Sequence, residues 1–319
     1  MPSRLHICVV TPSLPQVRTG NVMTADRYAR ILRGLGHRVD LQLAYEGEPC
    51  DMLIALHARR SHPSIRLFSE CYPGKPLIVV LTGTDLYQDI KKDADAQRSL
   101  ELADRLVVLQ RMGPEELPGS ARPKARVIYQ SSPPYRGNTR RPSTYFRVAV
   151  IGHLRWEKDP MRTATAVREL PSTSRIRVLH VGAALTPELE AEAQEEARTN
   201  HRYQWAGPLP HWRTRQILAQ SHVASISSVM EGSSNVLCEA LTSGTPVISS
   251  RISGLIGTLG EAYPGYFPVG DTAKLAELLQ RAESDLDFYS SLEKACAHVE
   301  PLVSVEAEIA AWNALLAEF

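Results

Sequence analysis

Glu231-Gly-Ser-Ser-Asn-Val-Leu-Cys-Glu239, continuing through Ala240 and Leu241 to Gly244-Thr245-Pro246-Val247, is the most informative stretch of this 319-residue chain. Two carboxylates eight positions apart flank a small polar loop, and an apolar strand follows. The spacing predicts Glu231 on a loop, a helix over 235–243 and a strand over 246–249. Glu239 then lies about one turn into that helix and is expected to point back toward the same cleft. The N–H groups of a helix's first turn lack intrahelical partners and carry partial positive charge, which suits phosphate. Carboxylates only accept hydrogen bonds when ionised, which suits hydroxyl-rich sugar and ribose. The stretch therefore reads as a site for a sugar joined to a nucleotide diphosphate. The alternative is two solvated acidic residues near a helix start, favoured by the helix dipole alone.

Working outward, the first half alternates apolar runs with helical stretches. Strands are expected over 5–10, 37–43, 51–56, 77–81, 106–109 and 126–129, with a helix over 24–35. Near-continuous apolar strands separated by helices imply a parallel sheet covered on both faces. A Pro-rich polar stretch, 131–143, reads as a linker. The alternation then restarts, with strands over 147–151, 175–181, 223–227 and 246–249 and helices over 160–170, 186–199 and 235–243. In the tail, Val305, Ile309, Trp312, Leu316 and Phe319 share one helical face. The expected fold is α/β: two Rossmann-like, doubly wound domains, 1–135 and 136–304, facing a central cleft, with 305–319 as a closing helix.

Composition narrows the function. Lys+Arg number 36 against 35 Asp+Glu, so nothing favours nucleic acid or an anionic membrane as partner. No segment reaches the roughly 20 apolar residues of a membrane span. Cys8, Cys50, Cys71, Cys238 and Cys296 form no CxxC pair and fit a reducing compartment. The first ten residues hold only a strand-length apolar run, which does not suit a signal peptide. These features imply a cytoplasmic protein. No D-x-D pair follows a strand, since Asp93-Ala-Asp95 sits in a polar helical run, so neither metal nor cofactor is expected. Residues 5–10 lead into Pro12-Ser-Leu-Pro15 rather than a G-x-G-x-x-G turn, which weakens a dehydrogenase reading.

The loop Gly152-His-Leu-Arg-Trp-Glu-Lys-Asp159 leaves a strand end just before a helix. Arg155 offers a fork for two phosphate oxygens and Lys158 a mobile point charge. Both suit the charge that builds on a departing nucleotide, although an ordinary solvated basic loop has the same letters. With Glu231…Glu239, Gly232-Ser-Ser-Asn235 and Gly244-Thr-Pro-Val247, this loop resembles the nucleotide-sugar domain of GT-B glycosyltransferases, especially the retaining family 4. The resemblance implies that Glu231 binds sugar hydroxyls and Glu239 the ribose. It further implies that amides around Ser234, Asn235 and Val236 hold the diphosphate, with Gly152 and Ser233 also among the donor-binding residues. The family usually carries Arg directly after the loop glycine, where this chain has His153, so Arg155 is the expected substitute.

Acceptor candidates lie in the first half. Arg18-Thr19-Gly20-Asn21 precedes a helix, His57-Ala-Arg59-Arg60 ends a strand, and Thr82-Gly83-Thr84-Asp85 follows another. Together they predict a small, polar, cationic pocket. With only 6% aromatic residues, a small anion fits better than a large apolar acceptor. His57 is a candidate catalytic group, though a lone histidine is more often a satisfied core residue; Asp85 orients an acceptor or merely caps a helix. Trp156, Trp205, His180 and His222 read as packing or structural residues, and Arg140 and Arg141 as a solvated linker. The wording over 12–40, with Ala55-Leu-His-Ala-Arg-Arg-Ser61 and Leu81-Thr-Gly-Thr-Asp-Leu-Tyr-Gln-Asp89, is similar to one branch, the selenosugar synthases of selenoneine biosynthesis. That resemblance implies transfer from a UDP-sugar, UDP-N-acetylglucosamine above all, to selenophosphate, forming a carbon–selenium bond. An ordinary family 4 enzyme with a sugar or small-alcohol acceptor, and a non-catalytic nucleotide-sugar-binding protein, are the alternatives.

Overall fold

The computed structural model describes residues 4–12 and 20–319. It divides into two compact units: Met1–Gln130 with Val305–Phe319, and Ser131–Ser304.

The first unit holds strands β1 (His6–Val10), β2 (Arg38–Gln42), β3 (Met52–Leu56), β4 (Leu77–Leu81), β5 (Arg105–Val108) and β6 (Ala125–Val127), in the order β2-β1-β3-β4-β5-β6. Every pairing is parallel. Met-Leu-Ile-Ala-Leu in β3 and Leu-Ile-Val-Val-Leu in β4 are buried at every position. Alternate side chains enter opposite faces: Cys8, Leu53, Ala55, Leu77 and Val79 join one core, while Ile7, Val9, Ile54, Ile78 and Val80 join the other. The second core is closed by the helices Gly20–Gly34 and Val305–Leu316. Trp312, fully buried, meets Tyr28 edge-on at 4.7 Å. The tail's buried face is Glu308, Trp312, Leu315 and Leu316, with Glu308 ion-paired to Arg27, whereas Phe319 is exposed because the helix ends at Leu316.

The second unit holds β7 (Phe146–Ile151), β8 (Ile176–Val181), β9 (Tyr203–Trp205), β10 (Val223–Ile226), β11 (Val247–Ser250) and β12 (Tyr266–Phe267), in the order β12-β11-β10-β7-β8-β9, again all parallel. One core cluster spans it. Several of its helices start on a capping side chain. Ser234 Oγ accepts from Leu237 N, Asp271 from Lys274 N and Asp285 from Phe288 N.

Several local expectations shift. Gly20 and Asn21, read as a loop before the helix, are its first two residues. The helix expected over 160–170 is confined to Arg162–Arg168, because Asp159 in a left-handed conformation and Pro160 break the chain first. Arg141 is not a free linker side chain; it bonds Tyr289 Oη, Glu293 and the Gly244 carbonyl. None of the five cysteines forms a disulfide, and among the described residues no helix is long and apolar enough to cross a membrane.

Candidate functional site

In an open parallel sheet, ligands bind beyond the carboxyl ends of the strands where the order reverses. In the second unit that point lies between β7 and β10, and it launches the loops over 152–159 and 227–234. The fold thus brings together two segments that sequence treats as separate motifs.

The loops are stitched through their backbones. Val229 N donates to Glu157 O at 2.9 Å, and Ser227 Oγ reaches the carbonyls of Lys158 and Asp159 at 3.0 and 2.9 Å. Lys158 closes a short 3-10 turn and ion-pairs with Glu231, whose Oε1 also accepts from Ser228 Oγ at 2.6 Å. Glu231 and Glu239 are both 8% exposed. Two glycines permit this packing. A Cβ on Gly182 would fall 1.8 Å from the Gly152 oxygen, and one on Gly254 would fall 1.8 Å from the Glu231 oxygen. Only glycine allows such backbone approach.

Beneath Gly152 lies His180, 1% exposed. Its Nε2 faces the Gly152 carbonyl at 3.3 Å and its Nδ1 the Tyr203 hydroxyl at 2.9 Å. A carbonyl only accepts, so Nε2 bears the proton and Nδ1 accepts from Tyr203. Burial lowers the His180 pKa to about 4, keeping it neutral. His153, where the family usually carries Arg, accepts from Ala183 N at 3.1 Å. Partial burial, then the Arg155 and Lys158 charges, push its pKa down.

The two carboxylates do not share a partner. Glu239 Oε1 lies 2.8 Å from His211 Nε2, on the first turn of another helix. Ser234 is buried as an N-cap, and Asn235 and Val236 start the helix. Ser233 is part of the connecting loop. Gly152, Lys158, Ser228, Ser234 and Val236 line one small concavity. Arg155 is the outlier. Its side chain is 46% exposed, and its nearest acid is Glu157 at 3.9 Å. Trp156, expected to pack, is 62% exposed, because its turn is held by backbone contacts that leave the ring outside. Trp205 does pack, donating from Nε1 to the Gly182 carbonyl. Sequence reading missed Ser228 and His211; Ser228 had a signal in its distance of three residues from Glu231, His211 had none.

In the first unit, Arg18 and Thr19 lie outside the described residues. The Gly20 carbonyl accepts from Thr24 Oγ1 at 2.9 Å, and Asn21 follows it in the helix. His57 follows β3 with φ 74° and is 2% exposed. Its Nδ1 accepts from Arg60 N at 3.3 Å, so Nε2 carries the proton toward Thr84 Oγ1 at 3.2 Å. Burial lowers its pKa, partly opposed by Asp85. A buried non-glycine residue in the left-handed region is strained and held by its surroundings. Asp85 is fully buried. Its Oδ1 accepts from Thr82 N and Gly83 N, and its Oδ2 from Ala58 N, at 2.8–3.0 Å. It fastens the two loops together and has no open oxygen aimed at solvent. Arg59 Nε lies 3.2 Å from Asp89, while Arg60 is exposed. Among the described residues no group of three or more His, Cys, Asp or Glu is placed to hold a metal.

The family model described as glycosyl transferases group 1 matches residues 131–298. Over 144 residues the chain is 28% identical to the D-inositol 3-phosphate glycosyltransferase of Corynebacterium diphtheriae; the match takes in 41% of this chain and 34% of that relative's length. HepE of Anabaena, solved in complex with UDP and glucose, superposes with TM-score 0.76 at 14% identity, covering 99% of this chain and 100% of that one. Sucrose-phosphate synthase of Thermosynechococcus elongatus superposes with TM-score 0.78 at 17% identity, covering 99% of each. At these identities the likeness is one of fold.

Proposed function

The chain belongs to the glycosyl transferases group 1 family, and on that premise we propose that it transfers a sugar from a UDP-sugar to selenophosphate. The observation that carries the donor half is the meeting of Lys158, Glu231 and Ser228 at the strand-order reversal of the second unit. Lys158 meets the diphosphate, Glu231 the sugar hydroxyls and Glu239 the ribose, with the amides over 234–236 along the phosphates. The UDP and glucose bound to HepE support the donor class. Arg155, free of a close acid, is available to a phosphate.

Selenium's lone pair attacks the anomeric carbon. The new carbon–selenium bond replaces the bond to the diphosphate oxygen, whose electron pair leaves with UDP. Lys158 and Arg155 stabilise the charge growing there. A selenium anion is nucleophilic at neutral pH, so no strong base is needed, in keeping with a neutral His57 whose Nδ1 is occupied. The acceptor half rests on Arg59 and Arg60 beside His57 and on the resemblance of the loops over 55–61 and 81–89. Five cysteines outside any disulfide support a reducing compartment, the cytoplasm.

Purified protein with UDP-N-acetylglucosamine, with and without anaerobic selenophosphate, tests the reading by UDP release and product mass. A selenium-isotope sugar formed only with selenophosphate supports it. Selenophosphate-independent transfer to a sugar or small alcohol gives the ordinary family 4 reading. Donor binding without turnover on any acceptor leaves a nucleotide-sugar-binding protein.

A further inference from the structure

Resting on that donor reading, we propose that the Lys158–Glu231 ion pair is an exchange contact that makes the site hold an intact nucleotide sugar better than the nucleoside diphosphate left behind. Glu231 Oε1 takes Lys158 Nζ and Ser228 Oγ, and among the described residues Glu231 has no second ion-pair partner. Lys158 is therefore committed to Glu231. An arriving diphosphate competes with Glu231 for one ammonium. As Lys158 moves to the phosphate, Glu231 loses its cation and its free acceptor positions turn to the sugar hydroxyls. Once the sugar has left, nothing replaces that partner, so Glu231 draws Lys158 back and loosens the diphosphate.

The surrounding contacts confine the exchange to side chains. Ser227 holds the Lys158 carbonyl, and helix Ser253–Leu259 packs through Gly254 against the Glu231 carbonyl. Both backbones are fixed while the Lys stem stays flexible. With the side chains 20% and 8% exposed, water weakens the attraction less than at an open surface. If Lys158 is free in about a tenth of molecules, apparent diphosphate affinity is about tenfold below its intrinsic value.

The test is calorimetric binding of UDP to wild type, Glu231→Gln, Lys158→Ala and the double variant. Glu231→Gln is expected to bind UDP about tenfold more tightly while losing its preference for the UDP-sugar over UDP. In the Lys158→Ala background the same change is expected to give no gain, because no ammonium remains to be released. Glu231→Asp, which keeps the charge but shortens the reach to Lys158, is expected to tighten UDP binding as well, and serves if the Gln protein folds poorly. UDP binding by Glu231→Gln equal to or weaker than wild type overturns the proposal. So does a gain that persists without Lys158, which would be a bare charge effect. If Lys158→Ala binds UDP like wild type, the donor reading itself fails, whatever the Glu231 variants do.

Discussion

His211 Nε2 stands 2.8 Å from Glu239 Oε1, joining the first turn of helix His211–Ala219 to helix Asn235–Leu241. Glu239 is nearly buried, so its rotamer is set by this partner. His211 is thereby a positioning residue for the proposed ribose contact.

His211→Ala is expected to raise KM for the UDP-sugar about tenfold, the scale of one charge-assisted hydrogen bond, with kcat nearly unchanged. Steady-state kinetics checks this. A fall in kcat at constant KM would remove His211 from donor binding.

Asp85 accepts hydrogen bonds from three backbone amides, those of Ala58, Thr82 and Gly83. Asp85→Ala leaves them unpaired, at about 1–3 kcal/mol each, and releases the loop that holds His57 through Thr84. A lowered urea midpoint together with reduced turnover is expected. Full activity with wild-type stability would show that the loops hold without it.

His180 gives the fold a pH dependence of known sign. Its pKa is depressed to about 4 when folded and is near 6.5 when unfolded. The neutral form is therefore favoured by folding; the contribution is present above pH 6.5 and lost as pH falls toward 4. The loss amounts to roughly 3 kcal/mol. His180→Gln is expected to flatten the acid side of the stability profile measured by urea denaturation, and an unchanged slope would assign it to other groups.

Arg27 Nε lies 2.9 Å from the Glu308 carboxylate, whose side chain is fully buried. Glu308→Ala removes the buried carboxylate that faces Arg27 and is expected to cost about 3–5 kcal/mol, seen as a large drop in Tm. A loss below about 1 kcal/mol would place the pair among surface bridges.

Much of the fold was legible because burial on both faces leaves unbroken apolar runs: Leu77–Leu81 and Met52–Leu56 stand where their Val, Ile and Leu residues put them. The short strand Tyr203–Trp205 and the helices Thr272–Ser284 and Leu286–Val299 were not located. Three strand residues make no period, and the two helices abut at Asp285 with no loop between them. At the site, Glu231 and Lys158 stood out by charge and spacing. Their contact did not, since 73 residues separate them.

Sequence alone determined the α/β class, the two rounds of strand and helix, and the acidic, basic and small residues of the candidate site, because these follow from periodicity and side-chain chemistry within a few residues. Tertiary structure alone decided which groups meet: Lys158 with Glu231, His211 with Glu239, His180 under Gly152, Asp85 across two loops. Those pairings depend on strand order and on backbone approach at Gly182 and Gly254, and neither is encoded in any local window of the chain.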